Sequence, residues 1–190
     1  MQKRHLIVGS LLLALGFASA ASATPIVYTA TLAGSNEVPP SGSPGTGSAV
    51  FTLNGDSLTV FELFSGLLAP ATAAHIHCCA PIGTNAIVAV PFTGFPAATS
   101  GTYSATFDLT QASSYNAAFI TAEGGTVAGA EAALIAGLNG GMTYANIHDS
   151  IFPGGEIRGQ IAATPEPGSL LLLSTGMLGI FEVVRRRVRA

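Results

Sequence analysis

The sequence predicts an all-β domain, an Ig-like or Greek-key β-sandwich with one short helix, flanked by an N-terminal signal peptide and a C-terminal transmembrane sorting helix. Three observations support this architecture. Short segments alternate apolar and polar residues with the period of half-buried strands. Glycine and proline separate these segments, as they do in turns. Between the two terminal segments, residues 24–164 are long enough for one sandwich core.

Eight segments carry the strand pattern and one carries a helical pattern. Asn54-Gly55-Asp56 has hairpin chemistry and joins two of the predicted strands. Thr126–Leu138 is rich in alanine and leucine at helical spacing and is followed by Asn139-Gly140-Gly141, which predicts a short helix and its end. The predicted strands are Ile26–Leu32, Ala49–Leu53, Ser57–Phe64, Ala73–Cys79, Ala86–Val90, Thr102–Leu109, Met142–His148 and Glu156–Ala162.

Residues 1–23 have the three parts of a secretory signal peptide. Lys3 and Arg4 precede a short apolar run, and Ala21-Ser22-Ala23 forms an A-x-A cleavage site. We therefore expect removal by signal peptidase and export to an oxidising compartment.

Residues 165–190 form a second terminal segment. Pro165-Glu166-Pro167 precedes an apolar run over residues 169–184, and four arginines follow it. As a helix, this run reaches roughly 24 Å, somewhat short of a ~30 Å hydrocarbon core. The arginines would stay in the cytoplasm, so the segment predicts a marginal membrane anchor with the domain on the opposite side.

The charge distribution excludes one class of function. Charged residues are 9% of the chain, and Arg158 is the only basic residue between 24 and 164. That stretch has eight acidic residues, so its formal charge is 1 − 8 = −7 with histidine neutral. A nucleic-acid-binding domain needs many basic side chains against phosphates, so we expect no nucleic-acid partner.

A few residues suit metal coordination. Alternation puts His75, His77 and Cys79 on one face of the predicted strand Ala73–Cys79, and His148 ends another strand. Three imidazoles and a thiolate suit zinc or copper. The alternative is that these histidines are ordinary polar-face residues hydrogen-bonded to Glu156 or Asp149.

Cys78 and Cys79 are the only cysteines, and they leave three alternatives open: a disulfide between neighbours, an intermolecular bridge, or free thiols and metal ligands. The sequence has no G-x-S-x-G or H-E-x-x-H motif, and residues 24–164 contain no lysine for a phosphate loop. These observations favour a non-catalytic protein.

The C-terminal segment resembles the PEP-CTERM sorting signal of exported Gram-negative proteins, in which a Pro-Glu-Pro tripeptide, an apolar span and an arginine cluster follow one another. The resemblance implies recognition and processing by an exosortase, after transient attachment to the membrane. It also implies a location in the cell envelope or outside the cell, where exopolysaccharide or other matrix components are candidate partners.

The middle of the chain resembles the CHRD domain, named from chordin and common in exported bacterial proteins. The resemblance is carried by residues 34–40 (GSNEVPP), 74–77 (AHIH), 144–148 (YANIH) and 152–160 (FPGGEIRGQ), in this order. It implies an extracellular all-β domain, with matching positions at Glu37, His75, His77, His148, Glu156 and Arg158.

The arginine at one of these positions has an expected partner of its own. Since buried arginine is rarely unpaired, we expect Arg158 to form an ion pair with Glu37 or Glu156.

Two functions follow from the sequence. The first is a non-catalytic binding or structural module of the envelope or extracellular matrix. The alternative is a copper- or zinc-binding metalloprotein with a His75/His77/His148 site.

Overall fold

A computed structural model describes residues 24–164, together with Gly176 and Arg185. Nine strands and two α-helices follow one another in this range. The strands are β1 (Ile26–Ala33), β2 (Thr46–Asn54), β3 (Ser57–Ser65), β4 (Ala71–Cys78), β5 (Ile87–Pro91), β6 (Gly101–Asp108), β7 (Thr143–Asp149), β8 (Ile157–Gln160) and β9 (Ala162–Ala163). The helices are α1 (Ala117–Ala122) and α2 (Val127–Asn139), both between β6 and β7.

All nine strands belong to one curled antiparallel sheet. The order along the sheet is β5-β4-β7-β8-β1-β2-β3-β6, and β9 pairs with β1. The all-β prediction is confirmed. The strands form one continuous hydrogen-bonded path, whereas an immunoglobulin-like sandwich divides its strands between two sheets.

Alternation along the strands builds the core from one face of this sheet. In β1, for example, Tyr28, Ala30 and Leu32 are buried, whereas their neighbours Thr29 and Thr31 are exposed. The same inward face of the other strands and one side of each helix complete the core. Its largest fully buried side chains include Phe51, Leu58, Ile76, Phe119, Leu134, Leu138, Ile147 and Ile157.

The prediction of one helix was incomplete. The predicted segment forms α2, whose N-cap Thr126 accepts a hydrogen bond from the Gly129 amide at 3.0 Å. The additional helix α1 has six residues and is capped by Asn116. A segment this short gives fewer than two turns of periodicity, so the apolar pattern alone could not identify it.

Neither helix within residues 24–164 is long and apolar enough to cross a membrane. The predicted signal peptide (1–23) and the predicted sorting helix with Pro165, Glu166 and Pro167 lie outside the described residues.

Candidate metal centre

Three histidines from two neighbouring strands meet on the outward face of the sheet. Strand β4 contributes His75 and His77, which project from the same face because they are two residues apart. Strand β7 pairs with β4, and its register places His148 opposite Ala73. The two histidine-bearing strands therefore lie side by side.

The three imidazole rings are close enough to share one ion. The ring centroids of His75 and His148 are 5.1 Å apart, those of His75 and His77 are 5.6 Å apart, and those of His77 and His148 are 6.1 Å apart. One ring nitrogen from each histidine lies within 4.8 Å of the other two. With metal–nitrogen bonds of ~2.0–2.1 Å in a tetrahedral site, such nitrogens would be about 3.4 Å apart, so small side-chain rotations suffice.

Backbone carbonyls fix the tautomers of two of these rings. Nδ1 of His77 donates to the Ala86 carbonyl at 2.8 Å, and Nδ1 of His148 donates to the Pro153 carbonyl at 3.0 Å. Because a carbonyl oxygen can only accept, the hydrogen is on Nδ1, and each Nε2 keeps a free lone pair. This arrangement matches metal-binding histidines, whose second nitrogen is usually held by a carbonyl or carboxylate.

The remaining nitrogens have no protein partner. Nε2 of His77, Nε2 of His148 and Nδ1 of His75 are all buried without a hydrogen bond to the described part of the chain. An unsatisfied buried polar atom costs roughly 1–3 kcal/mol. Three such atoms on clustered rings are therefore an unfavourable arrangement for the empty protein and a favourable one for a bound cation.

The surroundings keep the imidazoles neutral. Burial, together with the nearby His148 and His77, lowers the pKa of His75 to about 4. Burial also lowers the pKa of His77 to about 4, against the hydrogen bond to Ala86, and it lowers the pKa of His148. Metal coordination requires the neutral form, which His75 and His77 therefore keep well below pH 6.

Tyr144 of β7 supports the site from the side. Its ring stacks on His77 with centroids 4.6 Å apart and planes inclined by 4°. Its hydroxyl accepts a hydrogen bond from the Ala86 amide at 3.1 Å. The backbone N–H and C=O of Ala86 therefore hold the rings of Tyr144 and His77, respectively. The sequence interpretation missed Tyr144 as a site residue, although the position matches the YANIH motif.

The prediction of Cys79 as a ligand is wrong. Strand β4 ends at Cys78, so the alternation on which the prediction depended does not extend to Cys79. The two cysteines form a disulfide with each other, and Cys79 Sγ lies 3.4 Å from the Ala133 carbonyl of α2. Of the three alternatives for this pair, the structure has the disulfide between neighbours.

The expected ion pair of Arg158 is also absent. Nε of Arg158 donates to the Asn36 carbonyl at 2.9 Å, and Nη1 donates to Asn85 Oδ1 at 2.8 Å. The guanidinium carbon lies 4.2 Å from the centre of the Tyr144 ring. Amide oxygens and an aromatic face thus replace the predicted carboxylate.

The positive charge of Arg158 acts on the pKa of Glu37, although the two side chains share no hydrogen bond. Its Oε1 accepts from Asn146 Nδ2 at 2.6 Å. Burial raises its pKa to about 7, while Arg158, Asn146 and the Val38 amide oppose that increase.

Glu156 lies in a separate buried network. Its Oε1 accepts from Ser43 Oγ and from the Leu68 amide, both at 2.7 Å. Burial raises its pKa, and the neighbouring Asp149 raises it as well. Glu156 therefore joins loops of the fold and does not belong to the histidine cluster.

Comparison with known families gives two matches. Residues 163–188 match the PEP-CTERM protein-sorting motif. Comparisons with curated proteins and with solved structures gave no match. Residues 28–161, well over half of the sequence, match the CHRD domain. The PEP-CTERM motif marks a protein sorted by an exosortase to the bacterial envelope or the extracellular space, and the chain belongs to the CHRD domain family.

Proposed function

We propose that this protein is an exported metal-binding module that holds one copper or zinc ion through His75, His77 and His148. The observation that carries the proposal is the cluster of three imidazoles, in which one ring nitrogen of each lies within 4.8 Å of the other two and each ring has a buried nitrogen without a partner among the described residues. Neutral imidazole is a good ligand for both metals, and three histidines leave a coordination position open for water or another ligand.

The cellular setting extends the same proposal. Signal peptidase would remove residues 1–23, and an exosortase would process residues 165–190. The CHRD domain itself would extend from residue 24 to residue 164. The host would be a Gram-negative bacterium. Within the envelope or matrix of this host, the domain would act as a binding module. Exopolysaccharide or other matrix components are its candidate partners. Absence of the enzyme motifs sought in the sequence supports a role that is not catalytic.

Metal analysis of the purified protein tests the site. We expect about one equivalent of copper or zinc per chain after loading and gel filtration. His77→Ala should lower the retained metal at least tenfold, because it removes the most buried of the three ligands. In the copper-loaded protein, electron paramagnetic resonance should report nitrogen ligands.

The matched control is Ser104→Ala, which changes an exposed side chain on β6, at the opposite edge of the sheet from β4 and β5. It should retain metal like the unmodified protein. Equal metal content in His77→Ala and Ser104→Ala would contradict the proposal, as would loading below one tenth of an equivalent in the unmodified protein.

A further inference from the structure

A cleft on the outward side of the sheet lies beside β8. It has a volume of about 400 Å³ and is lined by Thr31, Asn36, Ile82, Gly83, Arg158 and Gln160. We call it the Arg158 cleft. Its volume falls within the range of small-molecule sites, and none of its lining residues belongs to the histidine cluster.

Arg158 brings to this cleft a positive charge that no carboxylate contacts through a hydrogen bond. Its side chain is 3% exposed, and it is the sole basic residue between 24 and 164. Hydrogen bonds of its Nε and Nη1 go to neutral oxygens, and Nη2 has no acceptor within the described chain. Glu37 is the acidic residue whose charge acts on Arg158. Its carboxylate, however, accepts a hydrogen bond from Asn146, and Glu37 lines a different pocket.

A buried cation that no carboxylate contacts directly is unfavourable, so a bound anion would stabilise it. Guanidinium groups prefer planar oxyanions, to which they donate two parallel hydrogen bonds. The described domain carries a formal charge of −7, which repels an anion more strongly the more charge it carries and so disfavours polyanions most.

The other residues that line the cleft indicate which further chemical groups the ligand carries besides its negative charge. Thr31, Asn36 and Gln160 offer neutral hydroxyl and amide groups, which suit hydroxyl groups of a ligand. The exposed Ile82, with 76% of its surface accessible, offers an apolar contact at the rim. We propose that the Arg158 cleft binds a small hydroxylated carboxylate of the sugar-acid type, with its carboxylate on Arg158.

This site goes beyond the proposed metal function and is independent of it. The two are neighbours, because Arg158 and His77 contact the same Tyr144 ring. A titration of the full, chelator-treated chain therefore tests the cleft alone, whatever the outcome of the metal analysis.

The experiment is calorimetric titration with galacturonate, with galactose as the uncharged sugar and sulfate as an inorganic oxyanion. Thr31→Glu places a carboxylate in the cleft from an exposed position, and Thr31→Gln is its neutral control of similar size. We expect saturable galacturonate binding to the unmodified chain and to Thr31→Gln, at least tenfold weaker binding to Thr31→Glu, and no binding of galactose. The four C-terminal arginines, Arg185, Arg186, Arg187 and Arg189, are common to all variants, so the comparison isolates the cleft.

Arg158→Gln should abolish binding as well, with its melting temperature measured to verify folding. Equal affinity of Thr31→Glu and Thr31→Gln would overturn the proposal. Sulfate or galactose binding as tightly as galacturonate would overturn the assignment to a sugar acid.

Discussion

Glu62 is a carboxylic acid in the middle of an apolar core. It lies on the inward face of β3 with Leu58, Val60 and Phe64, is fully buried, and neither of its oxygens has a hydrogen-bond partner among residues 24–164. Its cross-strand neighbours are Ala49 and Tyr103. Burial raises the pKa of Glu62 to about 8, so the folded protein holds a proton that the unfolded chain releases above its ordinary value of 4.5.

This proton makes stability depend on pH. An acid whose pKa is higher in the folded protein than in the unfolded chain contributes most to the free energy of unfolding at a pH below its unfolded-state pKa. For Glu62, this contribution falls between pH 4.5 and about 8. Replacing Glu62 with Met should therefore stabilise the protein increasingly over this range, by several kcal/mol at pH 8, since each pKa unit corresponds to about 1.4 kcal/mol. Urea unfolding of both proteins at pH 5, 6, 7 and 8 measures the difference.

The comparison of the two proteins removes the contributions of Glu37 and the histidines, which are present in both. A constant difference between Glu62→Met and the unmodified protein from pH 5 to pH 8 would show that the carboxyl is not held protonated by the core.

Helix α2 packs closely against the Cys78–Cys79 disulfide at Gly137. A Cβ atom at Gly137 would lie 2.5 Å from Cys78 Sγ and 3.1 Å from both Cys79 Sγ and the Thr143 methyl group. Helix propensity alone favours alanine over glycine by about 1 kcal/mol. Overpacking of a core costs about 1–3 kcal/mol, so we expect Gly137→Ala to destabilise the protein despite the better helix former.

Thermal unfolding tests this, with Ala132→Gly as the control at an exposed position of α2. The control should lose about 1 kcal/mol from propensity. A melting temperature of Gly137→Ala above that of the unmodified protein would mean that the helix moves away from the disulfide without cost.

The elements of the fold could be predicted from the sequence, but their arrangement could not. Alternation and turn residues identified every strand except the two-residue β9, with small errors at the ends. The position of β1 between β8 and β2 depends on pairing across more than a hundred residues, and local patterns carry no information about that.

The same limit applied to the candidate site. The spacing of His75 and His77 indicated a shared face, but local patterns could not show that the strand of His148 pairs with theirs. The partners that orient the rings are backbone carbonyls of Ala86 and Pro153, which any residue type could supply. Likewise, nothing in the residue types could show that Arg158 bonds to Asn36 and Asn85 and not to an acid.

At the scale of the whole molecule, the charges separate by segment. Six of the seven basic residues lie in residues 1–23 and 165–190, whereas residues 24–164 carry −7. Loss of both ends would therefore change the formal charge from −3 to −7 and leave an acidic domain whose sole basic side chain is buried. A domain with this charge would be repelled by anionic membrane surfaces.

We expect the native protein to lack both ends when it is isolated from the envelope or medium of a host that has an exosortase. The A-x-A site predicts a first residue at position 24, and the sorting motif over residues 163–188 predicts removal of the apolar run and the arginines. Intact-mass spectrometry measures both losses, and isoelectric focusing should show the more acidic species. Glu166→Ala, which alters only the tripeptide, should retain the C-terminal segment while still losing residues 1–23. A protein that ends at Ala190 in such a host, or a Glu166→Ala variant processed at the same rate as the unmodified chain, would refute the assigned role of the tripeptide.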